Sequence, residues 1–199
     1  MWTLETMLRE RGFSRIAGID EAGRGPLAGP VVSAAVILPH GVALDGVKDS
    51  KTLTERQRER LYGEIYRQAT AVGIGIVDAA EIDRINILQA SLCAMELSVR
   101  NLSPQPDHLL IDGPFGIQTS LPQQAIKKGD SLSISIAAAS IVAKVTRDRL
   151  MGRYDQEFPQ FGFSSHKGYP TKAHKEAIRR FGCCPIHRRT FSGAREYAA

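Results

Sequence analysis

The chain has 199 residues, of which 43% are hydrophobic and 24% are charged, with 18 glycines and 10 prolines. This composition is ordinary for a globular protein of one domain and excludes collagen-like, disordered and disulfide-scaffold classes. The longest apolar runs are too short to cross a bilayer, and the N-terminus has no signal-peptide hydrophobic region. Three cysteines make no even set for a disulfide framework, so we expect reduced thiols and a cytoplasmic location.

The basic charge is concentrated in the last third of the chain. The formal net charge is +5, but residues 141–199 alone carry 12 basic and 5 acidic residues, whereas residues 1–140 carry 14 and 16. A basic region beside a mildly acidic body favours a polyanionic partner, because phosphates attract such a surface whatever their sequence. A charged face that only interacts with solvent is the alternative.

Hydrophobic periodicity and capping residues predict the following elements in chain order: a strand over Arg15–Asp20, a strand over Val31–Leu38, a helix after Thr54, a strand over Ala71–Val77, a helix from Asp78 to about Asn101, strands over His108–Asp112 and around Gln124–Lys127, a helix from Ser131 to about Arg153, and a helix over Thr171–Phe181. The first two strands flank a short Gly/Pro-rich link, which predicts an antiparallel pair. The order favours an α/β fold with a mixed sheet covered by helices. We expect one domain over residues 1–199, with a core to about residue 150 and a helical basic extension over about 151–199.

Four carboxylates stand where the predicted regular structure ends. Asp20 and Glu21 close the first strand, Asp112 closes the fourth, and Asp130 precedes the long helix. Strand ends border the clefts in which α/β sheets bind ligands. Mg²⁺ prefers oxygen ligands and completes its shell with water and substrate phosphate, and two such ions can promote phosphodiester hydrolysis. Acids beside a basic region therefore favour a metal-dependent enzyme that acts on nucleic acid.

Each acid also has a structural interpretation. Neighbouring side chains on a regular strand point to opposite faces, so either one of Asp20 and Glu21 is functional or the strand breaks there, and the following glycines offer the break. Asp112 also suits the first position of an Asp-Gly turn. Asp130 also suits the cap of the next helix.

The stretch GIDEAGRGPLAGPVV, residues 18–32, closely resembles the signature of bacterial ribonuclease HII, a type 2 RNase H. The similarity continues in order through Asp49-Ser50-Lys51, Ile82–Asn86, Ile111-Asp112-Gly113, Lys128-Gly129-Asp130, Ser140–Asp148, His166-Lys167-Gly168-Tyr169 and His187-Arg188. It covers nearly the whole chain. It implies an RNase H-like fold, with a central mixed five-stranded sheet flanked by helices and a helical C-terminal part.

The resemblance also implies an activity. The enzyme would hydrolyse the RNA strand of RNA–DNA hybrids and cut at single ribonucleotides embedded in duplex DNA, as primer removal in DNA replication and ribonucleotide excision in DNA repair require. Two divalent ions, Mn²⁺ or Mg²⁺, would be held by the four acids, which are also the catalytic residues: Asp20, Glu21, Asp112 and Asp130. The products would carry 5′-phosphate and 3′-hydroxyl ends. We expect nucleic acid as the partner, no membrane, and a monomer.

Eight further residues match substrate-binding positions of the family: Gly23, Arg24, Gly25, Lys51, Asn86, Lys144, Lys167 and Tyr169. The Gly-Arg-Gly loop would read the ribose at the RNA–DNA junction, and Tyr169 would pack against the adjacent deoxyribose. Backbone groups can read a 2′-hydroxyl only at close approach, which glycine permits. The structural alternatives are a tight turn for the loop, a lid over a small core for Tyr169, local backbone hydrogen bonding for Asn86, and solvated surface lysines.

Three other functions fit parts of the pattern. Ribonuclease HIII is similar in the core, but it typically carries Lys where Arg24 stands and has an extra N-terminal domain, whereas only about fifteen residues precede the first strand here. A non-catalytic module that binds RNA–DNA hybrids would not need all four acids. A structural or protein-interaction domain would not explain the asymmetric charge.

Overall fold

The computed structural model describes residues 1–47 and 53–198. Within them the chain forms five strands and six α-helices, in the order α1 (Thr3–Glu10), β1 (Ile16–Ala22), β2 (Val31–Ile37), α2 (Glu55–Gln68), β3 (Ala71–Val77), α3 (Ala79–Arg100), β4 (His108–Asp112), β5 (Gln123–Ile126), α4 (Ile134–Glu157), α5 (Phe163–His166) and α6 (Lys172–Phe181). All five predicted strands are confirmed, with ends displaced by at most two residues. Helices α1 and α5 are additions to the prediction.

The strands form one mixed sheet in the order β3-β2-β1-β4-β5. β1 is antiparallel to β2, and β2 is antiparallel to β3, as expected for strands joined by short connections. β1 is parallel to β4, and β4 is parallel to β5. The predicted α/β class and the mixed five-stranded sheet are therefore confirmed, with β1 at the centre.

Helices cover both faces of this sheet. On one face α4 approaches β1 so closely that a Cβ atom on Gly18 would lie 2.1 Å from the carbonyl carbon of Ser135. On the other face α3 packs mainly against β3 and β2, and Met95 of α3 shares a buried cluster with Ile19 of β1 and Ile111 of β4. Alternate residues of β1 thus face different helices, which determines the surroundings of each acid at the end of the strand.

Side-chain caps define most of the helix starts. Thr54 and Gln57 form the predicted capping box of α2, and Asp78 caps α3 as predicted. The start predicted for α4 is wrong, because the Ser133 hydroxyl accepts the backbone N–H of Ile136 and the helix begins only at Ile134. Asp130 instead lies in a 3₁₀ turn over Gly129–Ser131, so its interpretation as the cap of α4 is also wrong.

The C-terminal helices pack against the far end of α4 through an apolar cluster. Buried members of this cluster include Leu27, Met151, Phe161, Phe163 and Ile178. Leu27 comes from the connection between β1 and β2, so the C-terminal segment contacts the loop that follows the first two acids. None of the helices in residues 1–47 and 53–198 combines the length and apolar character that crossing a membrane requires.

Candidate active site

Two neighbouring parallel strands bring three of the acids to one edge of the sheet. The register of β1 and β4 pairs Ile19 with Ile111, so the next residue on each strand is an aspartate, Asp20 and Asp112. Glu21 follows directly on β1. All three carboxyl groups are close enough to repel one another electrostatically. The predicted convergence of acids at strand ends therefore includes Asp20, Glu21 and Asp112.

The expected break in β1 comes after both acids rather than between them. The strand remains paired with β2 through Ala22, and the chain turns at Gly23, whose φ is +100°. Asp20 lies on the α4 face, where the Ser140 hydroxyl hydrogen-bonds to its carboxyl group. Glu21 borders a recess lined by residues of α3. Asp20 and Glu21 point to opposite faces of the sheet but can still border one cleft, because β1 ends immediately after them.

Burial and repulsion strongly perturb the first two acids. Asp20 is only 5% exposed, and burial raises its pKa well above the ordinary range, with further increases from the negative charges of Glu21 and Asp112. Burial also raises the pKa of Glu21, and Arg24, at 3.4 Å, partly offsets this effect. A bound cation would relieve this repulsion and favour the ionised carboxylates.

A backbone contact holds the turn that carries Asp130 against Asp112. The Oδ1 atom of Asp112 accepts the N–H of Gly129 at 2.7 Å, so the turn that carries Asp130 is held against the end of β4. Asp130 is buried in this turn. The carboxyl group of Asp112 is thus engaged by a distant turn, instead of by the Asp-Gly turn that follows it in sequence.

A cavity of about 230 Å³ opens beside the acids. Its lining residues are Asp20, Glu21, Ala22, Gly23, Arg24, Gly25, Ser140, Lys144, Arg147 and Tyr169. Tyr169 is 43% exposed, and its ring stands over Gly25, where an added Cβ would lie 3.8 Å from Cε1. The predicted loop and the predicted aromatic residue are therefore adjacent, and both line the cavity with Asp20 and Glu21, whereas Asp112 and Asp130 are not among its lining residues.

The donor set fits a hard divalent cation that shares its coordination shell with a substrate. In the described ranges, no three His, Cys, Asp or Glu side chains are arranged to hold an ion by themselves. The converging groups are carboxylates, which supply oxygen ligands, and Mg²⁺ commonly uses only one or two of them together with water and phosphate. Such a shell requires an open cleft at the acids, and the cavity provides one.

The remaining predicted positions differ in their surroundings. Lys144 lines the cavity and pairs with Asp148 at 2.8 Å. Lys167 does not line this cavity, and Lys51 lies outside the described residues. Asn86 interrupts α3 with a φ of 67°, and its Oδ1 accepts the N–H groups of the residues two and three positions later. The amide oxygen of Asn86 thus caps the second half of the helix, as its structural alternative predicts.

Two arginines outside the predicted set also contact this site. Arg147 lines the cavity, and Arg188 contacts the loop over residues 23–30, hereafter the β1–β2 loop. Both lie in segments that carry the family resemblance, but a basic residue in a basic region ordinarily indicates a solvated surface. Their burial is a tertiary property with no local signal in the sequence.

Comparison with known proteins assigns this fold and site to a family. A model of the family described as Ribonuclease HII matches residues 17–194. The chain belongs to the ribonuclease HII family. Ribonuclease HII of Geobacter metallireducens is 60% identical over all of this chain and 93% of its own length. The crystal structure of ribonuclease H2 from Pyrococcus horikoshii is 30% identical, with a TM-score of 0.76 over 92% of this chain and 96% of that one.

The sister family shares the fold at a greater distance. The crystal structure of an RNase HIII in complex with Mn²⁺ matches with a TM-score of 0.68 over 92% of this chain and 68% of that one, but it is only 19% identical. The much higher identity to ribonuclease HII relatives decides between the two families. Membership of the ribonuclease HII family makes the chain a ribonuclease H, an endonuclease for RNA paired with DNA.

Proposed function

We propose that this ribonuclease H cuts both RNA–DNA hybrids and single ribonucleotides embedded in duplex DNA, by metal-dependent hydrolysis at the cavity beside β1 and β4. One observation carries the proposal: Asp20, Glu21 and Asp112 lie together at the ends of these parallel strands, and the first two line one cavity with a glycine-containing loop and an exposed tyrosine. Acids, loop and aromatic side chain are the three parts that hydrolysis at a ribonucleotide junction needs.

The four acids would hold two divalent ions, Mn²⁺ or Mg²⁺. Asp20, Glu21 and Asp112 supply the converging carboxylates, and Asp130 adds a buried carboxylate from the turn bound to Asp112. Ions bound there would activate a water molecule and stabilise the leaving oxygen. The raised pKa of Asp20 supports this assignment, because a site built for cations holds excess negative charge without them.

The β1–β2 loop and Tyr169 would select the ribonucleotide. Gly23 and Gly25 let the backbone approach a 2′-hydroxyl, which is the constant difference between RNA and DNA strands. Arg24, about half exposed, would donate to a phosphate, and Lys144 at the cavity wall would contact the backbone of the duplex. Contacts from Lys51, Asn86 and Lys167 to the substrate stay predictions from the resemblance.

Water would be the nucleophile. The described residues that line the cavity include neither His nor Cys, and the one lining serine, Ser140, hydrogen-bonds to the Asp20 carboxyl group. Among the described lining residues there is thus no Ser-His or Cys-His pair of the kind that activates a side-chain nucleophile. Attack by water leaves 5′-phosphate and 3′-hydroxyl ends, whereas attack by the ribose hydroxyl would leave a 2′,3′-cyclic phosphate.

The decisive experiment uses a duplex with one embedded ribonucleotide, with Mn²⁺ or Mg²⁺. Wild-type protein should cleave it with either ion, and Asp20→Asn should abolish turnover while binding is largely retained, since the basic surfaces bind phosphate. Glu176→Gln, a change at an exposed acid of α6, is the matched control and should leave both properties unchanged. Absence of wild-type cleavage with both ions, a cyclic-phosphate product, or equal loss of binding and turnover in Asp20→Asn would contradict the proposal.

The wider setting belongs to the same proposal. Cleavage at embedded ribonucleotides would serve DNA replication and DNA repair, in the cytoplasm. We also propose one catalytic domain over residues 1–199, since the substrate loop contacts residues from both the core and the basic extension. A monomer completes the proposal.

A further inference from the structure

Two arginines beside the cavity carry buried charges, and two acids, Asp148 and Asp83, attract them electrostatically without a direct ion pair in the described ranges. Arg147, on α4, is 1% exposed, and Arg188, in the C-terminal segment, is fully buried. Within the described part of the chain neither guanidinium forms a salt bridge, and both donate to backbone carbonyls instead. A buried charge is costly to desolvate, so its retention without a directly paired carboxylate requires a specific purpose.

Arg188 binds backbone carbonyls of the β1–β2 loop from the interior of the protein. Its Nη2 donates to the carbonyl of Gly23 at 2.5 Å, its Nη1 to that of Arg24 at 2.9 Å, and its Nε to that of Gly29 at 3.0 Å. One side chain therefore engages both ends of the loop. The carbonyls of the first two loop residues are consequently turned towards the protein interior.

Arg147 holds the end of the same loop and connects it to the turn that carries Tyr169. Its Nε donates to the carbonyl of Pro30 at 3.0 Å, its Nη2 to that of Ala28 at 3.1 Å, and its Nη1 to that of Lys167 at 3.0 Å. The two structural parts proposed to recognise the junction are thus held by a single guanidinium.

The direction of the carbonyls determines the direction of the amides. In a planar trans peptide the C=O and the N–H of the next residue point in opposite directions. Because Arg188 draws the carbonyls of Gly23 and Arg24 inward, the N–H groups of Arg24 and Gly25 point outward, on the side of the cavity that these residues line. The arginine contacts therefore prepare a pair of backbone donors for an oxygen atom of a ligand.

A glycine makes this arrangement possible. A Cβ atom on Gly23 would lie 2.0 Å from Nε of Arg147, so any side chain there would displace the guanidinium. Burial lowers the pKa of Arg147 to about 10 and that of Arg188 to about 9, and both remain charged at neutral pH. Two positive charges thus lie directly behind the loop, where they also attract a phosphodiester.

We propose that Arg147 and Arg188 are positioning residues for ribose recognition, which hold the β1–β2 loop with two backbone N–H groups aimed at the 2′-hydroxyl of the substrate. The inference rests on the proposed function, since it concerns how the same loop selects a ribonucleotide. If these arginines position the loop, discrimination between ribose and deoxyribose depends on the planar shape of the guanidinium group and is not maintained by a positive charge alone.

The test compares Arg188→Lys with wild type. Lysine keeps the charge, but a single ammonium cannot serve three carbonyls in the fork geometry of arginine. The measurement, made with Mn²⁺, is the ratio of the Ki of an all-DNA duplex, used as a competitor, to the KM of the same duplex with one ribonucleotide. We expect Arg188→Lys to lower this ratio roughly tenfold through a higher KM, with the Ki unchanged.

Met151→Leu is the matched control. Met151 is buried against Gly29 in the same apolar cluster but makes no hydrogen bond to the loop, so its replacement changes packing and leaves the ratio unchanged. If Arg188→Lys does not fold, Arg147→Lys answers the same question, and Gly23→Ala should reproduce the effect from the side of the loop.

The outcomes separate the inference from the function on which it rests. A wild-type ratio well above one with an unchanged ratio in the lysine variants would overturn the positioning role alone. An equal fall of the ratio in Met151→Leu would reduce the arginines to general packing and also overturn it. A wild-type ratio near one would overturn ribose recognition by this loop, and the positioning role with it.

Discussion

Replacement of Tyr169 by alanine should weaken recognition of a single ribonucleotide by an amount that its exposure determines. The side chain is 43% exposed at the mouth of the cavity. For an aromatic side chain of ordinary size, this fraction corresponds to roughly 65–110 Å² that a sugar could cover. At about 25 cal/mol per Å² the lost contact is worth about 2 kcal/mol, or roughly thirtyfold in kcat/KM.

The assay compares two substrates at one fixed salt concentration, because binding to phosphates depends on salt. We expect Tyr169→Ala to lose roughly thirtyfold in kcat/KM on a duplex with one embedded ribonucleotide. The loss on a long RNA–DNA hybrid should be smaller, since a hybrid offers many ribose hydroxyls and alternative registers. Tyr169→Phe keeps the ring and is the matched control, with activity close to wild type on both substrates.

Two results would refute this reasoning. Equal losses on both substrates would show that the side chain covers a small core and has no particular role at the junction. A loss in Tyr169→Phe as large as in Tyr169→Ala would assign the effect to the hydroxyl group, and the area-based magnitude would be wrong.

Three further predictions concern stability, pH and metal. Gly18→Ala should destabilise the fold by about 1–3 kcal/mol, because its Cβ would overlap the backbone of α4. Gly152→Ala, at a position of α4 with open space around it, should instead stabilise the fold by about 0.5–1 kcal/mol. Urea unfolding measures both changes, and a change in the free energy of unfolding with the same sign in both variants would contradict the close approach of α4 to β1. Burial lowers the pKa of His174 and His187, which hydrogen-bond to each other, to about 4, so the unfolded chain takes up protons before the folded chain as the pH falls below about 6.5. The free energy of unfolding should therefore fall by roughly 2 kcal/mol or more for the pair by pH 5. His187→Gln should show a shallower decline with pH, and a profile parallel to that of wild type would refute the assignment. Removal of divalent ions with EDTA should abolish cleavage, and added Mn²⁺ or Mg²⁺ should restore it, whereas undiminished cleavage in EDTA would exclude the metal-dependent mechanism.

The first four strands could be predicted because each contains a short apolar run bounded by glycine, proline or a polar residue, whereas β5 carries two glutamines and has a weaker signal. The starts of α2 and α3 were equally clear, since Thr54 and Asp78 are capping residues at the head of a periodic segment. Prediction failed where several candidate caps occur together, as before α4, where Ser133 is the cap. The sequence also does not predict the interruption of α3 at Asn86. The apolar periodicity continues on both sides of this residue, and its positive φ is seen only in the folded chain.

The candidate site divides in the same way. The position of Asp20 and Asp112 at the ends of apolar strands predicted that each borders a cleft. That the two strands are parallel neighbours, which brings the two acids together, is seen only in the folded chain. The roles of Arg147 and Arg188 could not be predicted, since each side chain serves carbonyls more than 100 residues away in sequence. Because every residue carries a backbone carbonyl, the sequence does not show which carbonyls these arginines bind.

The distance in sequence between Arg188 and the loop has a consequence for the newly synthesised chain. Gly23 leaves the ribosome 165 residues before the arginine that binds its carbonyl. Chains emerge N-terminus first at about 5–20 residues per second, so the loop waits roughly 8–33 seconds for this partner. During that interval Asp20 and Glu21 are already synthesised, whereas the backbone donors of the loop are not yet held in place by Arg188.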